Sequence, residues 1–446
     1  MDLSFLSWLR CPLCGGSLRA GRADRTVGKL GYGVLTCYCG RYPVVAGIPV
    51  LKKDSSGAID RVITLIEAGC HDEALLALMP GPSADAPASV RRLPWARPLN
   101  LLKRLVGRPK DPEPRSWSEQ AVAMLMNPGG QVTACDLLAF FFGNKRDNYD
   151  YFSHRFGQPR YLVGLSFASS IHLPNKPILD LACGFGHITR SLVQRAKGQP
   201  VFGLDRFFLG LYLAKHWVAP RAQYVCCDSD TSLPFSDATF AAAVCVDAFH
   251  YFTNKTTCIR ELERLTRDDG FFMLVWVHSA NVRRPHDGLP LPPEGYEELV
   301  AHLAYRLVAD SDVLTRYLQK KGPPLARSAD TTRLAHEPLL SLVASRREEI
   351  LRDYGALDDW PHAEGCLVLN PLYVEQARDP SGTVCLRRTF PSAFYEEDHA
   401  EYKQYLPETV EVPLEVLGDL AQGKRTPIIE NLIEQCVVLG MPERYR

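Results

Sequence analysis

Five short apolar runs constrain this chain more than any other feature: PILDL (177–181), VFGLD (201–205), YVCCD (224–228), AAAVCVD (241–247) and FFMLVWV (271–277). They are rich in β-branched and aromatic residues, most end at or beside an aspartate, and helix-length segments separate them. Near-continuous apolarity is what a strand needs when both faces of its sheet are covered. The pattern therefore predicts βαβ units around a parallel sheet. Beyond the fifth run, residues 295–321 and 332–354 read as helical. GCLVLNPLYVEQ and TVCLRRTF follow, joined by ARDPSG, a Pro-Gly turn signal for a hairpin.

LDLACGFGH places Asp180 at the end of the first strand, then Gly184 and Gly186, then a helix from about His187. Glycines here let the backbone turn tightly and approach a ligand. Asp205 ends the next strand 25 residues on, near the roughly 20 expected of a ribose-binding acid, and Asp228 ends the third. A dinucleotide loop would carry a third glycine where Thr189 stands. The loop also has no basic residue to answer a pyrophosphate. Three carboxylates at adjacent strand ends suit a ligand with a ribose, an adenine amino group, a cationic centre and no phosphate. S-adenosylmethionine is such a ligand.

Together with VFGLD, DLACGFGHIT, CDSDTSLPFSDATF, VDAFHYF and ELERLTRDDGFFMLVWV resemble a class I S-adenosylmethionine-dependent methyltransferase of the ubiquinone/menaquinone-biosynthesis type, over roughly residues 175–280. The resemblance implies that Asp180, Gly184 and Gly186 line the methionine end, with Ala182 standing where the family often has glycine. It implies that Asp205 takes the ribose hydroxyls, Asp228 meets the adenine and Asp247 lies beside the sulfonium. Arg206 and Ser229, each following one of these carboxylates, are counted with the cofactor-binding set. The implied fold is α/β, a Rossmann-like sheet of parallel strands ending in an antiparallel hairpin, here at about 365–390.

At the other end of the chain, Cys11-Pro-Leu-Cys14 and Cys37-Tyr-Cys39 are each followed by glycine. Four thiolates on two short turns are what a tetrahedral structural zinc needs. A block of about 50 residues has too little core to fold readily without such a staple. The second pair is C-x-C, tighter than the usual C-x-x-C. The tail GRYPVVAGIPVL resembles the small zinc-ribbon protein that activates tRNA and translation-factor methyltransferases.

Composition narrows the partners. The 51 Lys and Arg balance 51 Asp and Glu, so the basic excess of a nucleic-acid-binding protein is absent overall. Residues 91–110 do hold seven cations and no acid, interleaved with apolar residues. The prolines there favour a solvated linker over a membrane- or RNA-binding helix. No apolar run reaches the ~18 residues that span a bilayer, and MDLSFLSWLRCPLCGG lacks the basic start of a secretory leader. Ten of the fourteen cysteines are scattered, several in apolar contexts (Cys183, Cys245, Cys385), which points to free thiols in a reducing cytoplasm. Oligomeric state is not written in this pattern.

The organisation expected is a zinc-ribbon-like domain at 1–52, short helices and a Pro-rich basic linker at 53–115, and a helical segment at 116–172. A methyltransferase core at 173–285 follows, then a helical cap at 286–364 over the acceptor pocket, the terminal hairpin at 365–391, and a helical extension at 392–446. The function expected is methyl transfer to a small-molecule oxygen or carbon. RNA methylation is the alternative, disfavoured by neutral charge and by the absence of an Asn/Asp-Pro-Pro-Tyr-type motif after VCVD; a non-enzymatic scaffold is the third reading. A base near neutral pKa would help a hydroxyl or acidic-carbon acceptor. The candidates are His250, three residues past Asp247, with Tyr251 beside it and His278 after the fifth strand. The stretch YDYFSHRF (149–156), just ahead of the first strand, is expected to close over the cofactor.

Overall fold

The computed structural model describes residues 1–21, 25–26, 28–52, 56–81, 116–126, 130–143, 146–170, 176–229, 231–266, 269–284, 288–357, 363–380 and 382–446. The basic stretch 91–110 lies outside them. At the centre is a seven-stranded sheet: β1 (Ile178–Leu181), β2 (Val201–Asp205), β3 (Gln223–Cys226), β4 (Ala242–Val246), β5 (Phe271–His278), β6 (Ala304–Ala309) and β7 (Leu339–Ser345). Its order is β6-β7-β5-β4-β1-β2-β3. The five predicted runs are its parallel body, while β7 is antiparallel to both neighbours. Strands β1, β4, β5 and β7 are buried along their whole length, as the unbroken apolar runs require.

Three expectations are corrected. The strands that complete the sheet come from 304–309 and 339–345, so 286–364 is not a helical cap. It contributes two sheet strands, with the helices Pro293–Glu298, Asp310–Leu318 and Thr331–Leu334 around them. The hairpin at 365–390 does form, between Tyr373–Arg378 and Thr383–Arg388, but it pairs with Thr409–Pro413 in a separate antiparallel sheet. Burial explains the exchange. Tyr373–Arg378 exposes five of its six residues, whereas LLSLVAS of β7 has none exposed, and only the latter suits a sheet covered on both faces. Nor is 392–446 purely helical: Thr409–Pro413 and Val438–Met441 are strands, the second pairing with Cys366–Leu369.

The N-terminal cysteine block is a four-stranded sheet whose apolar residues share one core with β1 and β2. Leu9, Leu18, Leu35 and Val44 cluster with Leu179, Phe202 and Leu204. It also extends the ladder past β3. Val50 bridges Cys226 in parallel, and the Leu51 amide donates to the Cys226 carbonyl at 2.8 Å. The exposed sheet edge is thus capped in cis.

The helices Ala58–Glu67 and His71–Leu76 form as expected. Ahead of β1 come the helices Trp117–Leu125, Ala134–Phe142, Arg146–Ser153 and Pro159–Ala168. The last starts with Pro at its first turn, where the missing N–H is harmless, and all ten of its residues are buried. The C-terminal residues return to this region, with the Arg444 and Tyr445 carbonyls accepting from the Ala134 and Cys135 amides.

Candidate active site

The glycine loop joins β1 to the helix His187–Arg195. Gly186 has φ +77°, and a Cβ there would lie 2.8 Å from Ala214 Cβ, so only glycine fits. Ala182, at φ +56°, adopts the left-handed backbone with a side chain. Asp205, at the end of β2, is held by the loop: its Oδ2 accepts from the Gly184 amide at 2.9 Å and its Oδ1 from the Phe207 amide at 2.8 Å. Burial outweighs these bonds and raises its carboxyl above the usual range. Asp180 sits beneath the loop, accepting from Thr189 Oγ1 at 2.5 Å. Burial pushes its carboxyl up to about 7. Asp228 and Ser229 leave the end of β3, Asp228 partly buried and Ser229 buried. Arg206 is exposed, and its carbonyl accepts from Lys52 at the end of the cysteine block.

Asp247 follows β4 with φ +59°. Its Oδ2 accepts from Tyr151 Oη (2.5 Å), Arg155 Nη1 (3.1 Å) and Arg160 Nη1 (3.0 Å). Burial would raise this carboxyl, but Arg160 and Arg155 overcome it and hold the group well below the usual carboxylate range. Arg160 also reaches Asp398 Oδ2 at 2.9 Å. Phe152, in the stretch 149–156, packs its ring edge-on against that of Phe185 in the glycine loop at 3.9 Å.

A cavity of about 360 Å³ opens here; Tyr151, Phe152, Asp247, Tyr251, Tyr395 and His399 are among the residues lining it. Tyr251 is half exposed on its wall. His250 and His278 lie behind it, both buried, with rings stacked at 3.9 Å. Neither is among the residues lining the cavity. Burial pushes His250 down to about 4 and His278 down to about 3, so both are neutral near pH 7. No described residue of 286–364 lines the cavity. The wall expected from that segment comes instead from the C-terminal residues 392–399. Arg160, Asp398 and His399 are the functional candidates that sequence reading missed. Asp398 is 238 positions from Arg160, and no local pattern announces such a pair.

The four N-terminal cysteines also converge. The Sγ separations are 3.4 Å (Cys11–Cys39), 3.4 Å (Cys37–Cys39) and 3.9 Å (Cys14–Cys37), and all four sulfurs lie within 4.8 Å of one another. A tetrahedral ion with metal–sulfur bonds of roughly 2.3 Å implies edges of about 3.8 Å. The Leu13 and Cys39 amides point at the Cys11 and Cys37 sulfurs, at 3.4 and 3.3 Å. The tight C-x-C spacing thus does not keep its two sulfurs from the cluster.

Residues 179–274 match the family described as "Methyltransferase domain". One curated relative, phthiotriol/phenolphthiotriol dimycocerosates methyltransferase 1 of Mycobacterium ulcerans (strain Agy99), is 23% identical over 168 residues. That stretch is 36% of this chain and 62% of the relative, so the chain spans less than two thirds of the relative's length. Among solved structures, the plantazolicin methyltransferase BpumL in complex with SAH is 15% identical, with a TM-score of 0.35, covering 52% of this chain and 99% of that one. A complex between the Haloferax volcanii Trm112 methyltransferase activator and a methyltransferase gives 18% identity and a TM-score of 0.33, covering 45% of this chain and 96% of the matched one. With its parallel sheet, glycine loop and strand-end carboxylates, the chain carries a methyltransferase domain over residues 179–274.

Proposed function

We propose that the whole chain is an S-adenosylmethionine-dependent methyltransferase acting on a small-molecule acceptor. The observation that carries this reading is Asp205, whose two carboxylate oxygens are held by the Gly184 and Phe207 amides at the carboxyl end of β2. In this reading Asp205 binds the ribose hydroxyls, with Arg206 beside it, and Asp228 and Ser229 meet the adenine. Ala182, Gly184 and Gly186 give the methionine end room, above Asp180. The bound cofactor supplies a methyl group on a sulfonium, so the protein's main task is to position the acceptor. Asp247, with Oδ2 committed to two guanidiniums, serves better as the anchor of Arg155 and Arg160 than as a bare counter-charge. His250 and His278 support the wall that presents Tyr251.

A small acceptor is supported by the cavity, whose volume of about 360 Å³ falls within the usual range for small-molecule sites. The curated relative is named for phthiotriol and phenolphthiotriol dimycocerosates, not for a nucleic acid. We further propose that Cys11, Cys14, Cys37 and Cys39 hold a structural zinc, whose four thiolates leave no open position for chemistry. None of the fourteen cysteines is joined in a disulfide, which supports a reducing, cytoplasmic setting.

Calorimetry with S-adenosylhomocysteine tests the central reading. Saturable one-to-one binding is expected in the wild type, weakened tenfold or more by Asp205→Ala, the scale of a lost hydrogen bond to a charged group. Absence of heat in the folded wild type at high protein concentration overturns it. Tight, steeply salt-dependent RNA binding would instead favour a nucleic-acid acceptor.

A further inference from the structure

Four charges meet in a buried cluster where the glycine loop borders the cavity. Asp247 follows β4, the sheet neighbour of β1, so it stands at the same end of the sheet as the loop. It also lines the cavity together with Phe152, whose ring packs on Phe185 of the loop. A methyl group passing from a cofactor on the loop to an acceptor in the cavity must cross this border. Asp247 Oδ2 takes two guanidiniums, Arg155 at 3.1 Å and Arg160 at 3.0 Å. One carboxylate against two permanent cations would leave a net positive charge, the wrong sign beside a sulfonium. The missing negative charge comes from the C-terminal segment: Asp398 Oδ2 lies 2.9 Å from Arg160 Nη2. All four side chains are at most 7% exposed, so water screens them little. Arg284, which donates to the Asp398 carbonyl at 2.8 Å, is itself paired with Glu401. His399, 3.5 Å from the Asp398 carboxylate, is kept neutral by burial. Asp147 and Asp150 of the helix Arg146–Ser153 also line the cavity and stay constant in the comparison below.

We infer that Asp398 is a positioning residue for the cofactor: by sharing the charge of Arg160, it leaves Asp247 able to favour the sulfonium over the neutral thioether that remains after transfer. This rests on the methyltransferase reading above. When the S–C bond breaks, its electron pair stays on sulfur and the cofactor loses its positive charge. A site with an uncompensated guanidinium would hold the neutral product in preference to the charged substrate. With Asp398 in place, two carboxylates cancel two guanidiniums and that bias is removed. The segment that supplies one wall of the cavity thus also sets which form of the cofactor the site prefers. Asp398 acts only through Arg160, and a unit charge in a buried cluster is felt over several ångströms.

The test is calorimetry of the full chain with S-adenosylmethionine, S-adenosylhomocysteine and sinefungin, an analogue with an ammonium group in place of the sulfonium. The wild type is expected to bind both cations within about tenfold of S-adenosylhomocysteine. Asp398→Asn should weaken both cations relative to S-adenosylhomocysteine by about tenfold, the scale of one unit charge at an effective dielectric near 20. Asp398→Glu, which keeps the charge, should hold the wild-type ratio within about twofold. Arg160→Met should shift the ratio the other way, and the double variant Asp398→Asn/Arg160→Met, balanced again, should restore it. An unchanged ratio in Asp398→Asn, whether all three ligands weaken alike or none does, marks a purely structural residue and overturns the proposal. Shifts of the same sign in Asp398→Asn and Arg160→Met overturn it too. A wild type that binds S-adenosylhomocysteine far more tightly than both cations overturns it even if no variant folds. Failure of the wild type to bind any of the three overturns the methyltransferase reading instead.

Discussion

At the scale of single residues, the carboxylates along the strand ends are alike in sequence and opposite in environment. Asp247 has two guanidiniums and stays ionised, whereas Asp180 accepts from the Thr189 hydroxyl and is pushed up to about 7 by burial. Its linkage has a definite sign. Between the unfolded value near 3.8 and about 7, the folded chain holds a proton that the unfolded chain has lost. Stability contributed at this site therefore falls as pH rises through that window and stays low above it. Asp180→Asn removes the dependence. Its denaturation midpoint is expected to exceed that of the wild type at pH 8, with the difference shrinking towards pH 4. A constant difference from pH 4 to pH 8 would contradict this account. The positions of these acids were legible in the sequence, because a strand end followed by Gly-x-Gly is a local pattern. Their ionisation was not, because it depends on Arg155, Arg160 and Thr189 in the folded chain.

At the scale of elements, the cysteine block serves the sheet as well as itself. It adds Val50 and Leu51 to the free edge of β3, and its apolar residues complete the core over β1 and β2. Metal loss should therefore destabilise the catalytic sheet and not only the block. Protein prepared without chelator is expected to hold roughly one zinc per chain, and Cys14→Ser or Cys37→Ser to hold less. Both variants should lower the melting temperature of the main transition. An unchanged main transition in a zinc-free variant would separate the block from the sheet. The interchange of β7 with the hairpin belongs to this scale too. Short apolar runs are ambiguous by periodicity alone, and what distinguished LLSLVAS from YVEQAR was burial on both faces against exposure of all but Tyr373.

At the scale of the whole molecule, the chain's last residues lock the site. The Tyr445 hydroxyl donates to the Phe152 carbonyl at 2.5 Å, so the 2.7 Å contact with His187 is a donation from Nε2–H to the phenol oxygen. One side chain thus ties the aromatic stretch over the cofactor loop to the helix that the loop begins. Tyr445→Phe should cost about 1–3 kcal/mol, the price of leaving buried partners unsatisfied, and should weaken S-adenosylhomocysteine binding. Denaturant unfolding and calorimetry read the two effects, and a variant equal to the wild type in both would remove the lock. By itself the sequence determined the parallel body of the sheet, the glycine loop with Asp180, Asp205 and Asp228, and the two cysteine turns. Each of these is written in neighbouring residues, through strand apolarity, backbone freedom or ligand spacing. Tertiary structure alone decided which strands complete the sheet and which charges pair. It also decided that His399, and not His250, lines the cavity. Those outcomes join residues up to hundreds of positions apart, and they are set by which surfaces must be buried together, a constraint with no local period to read.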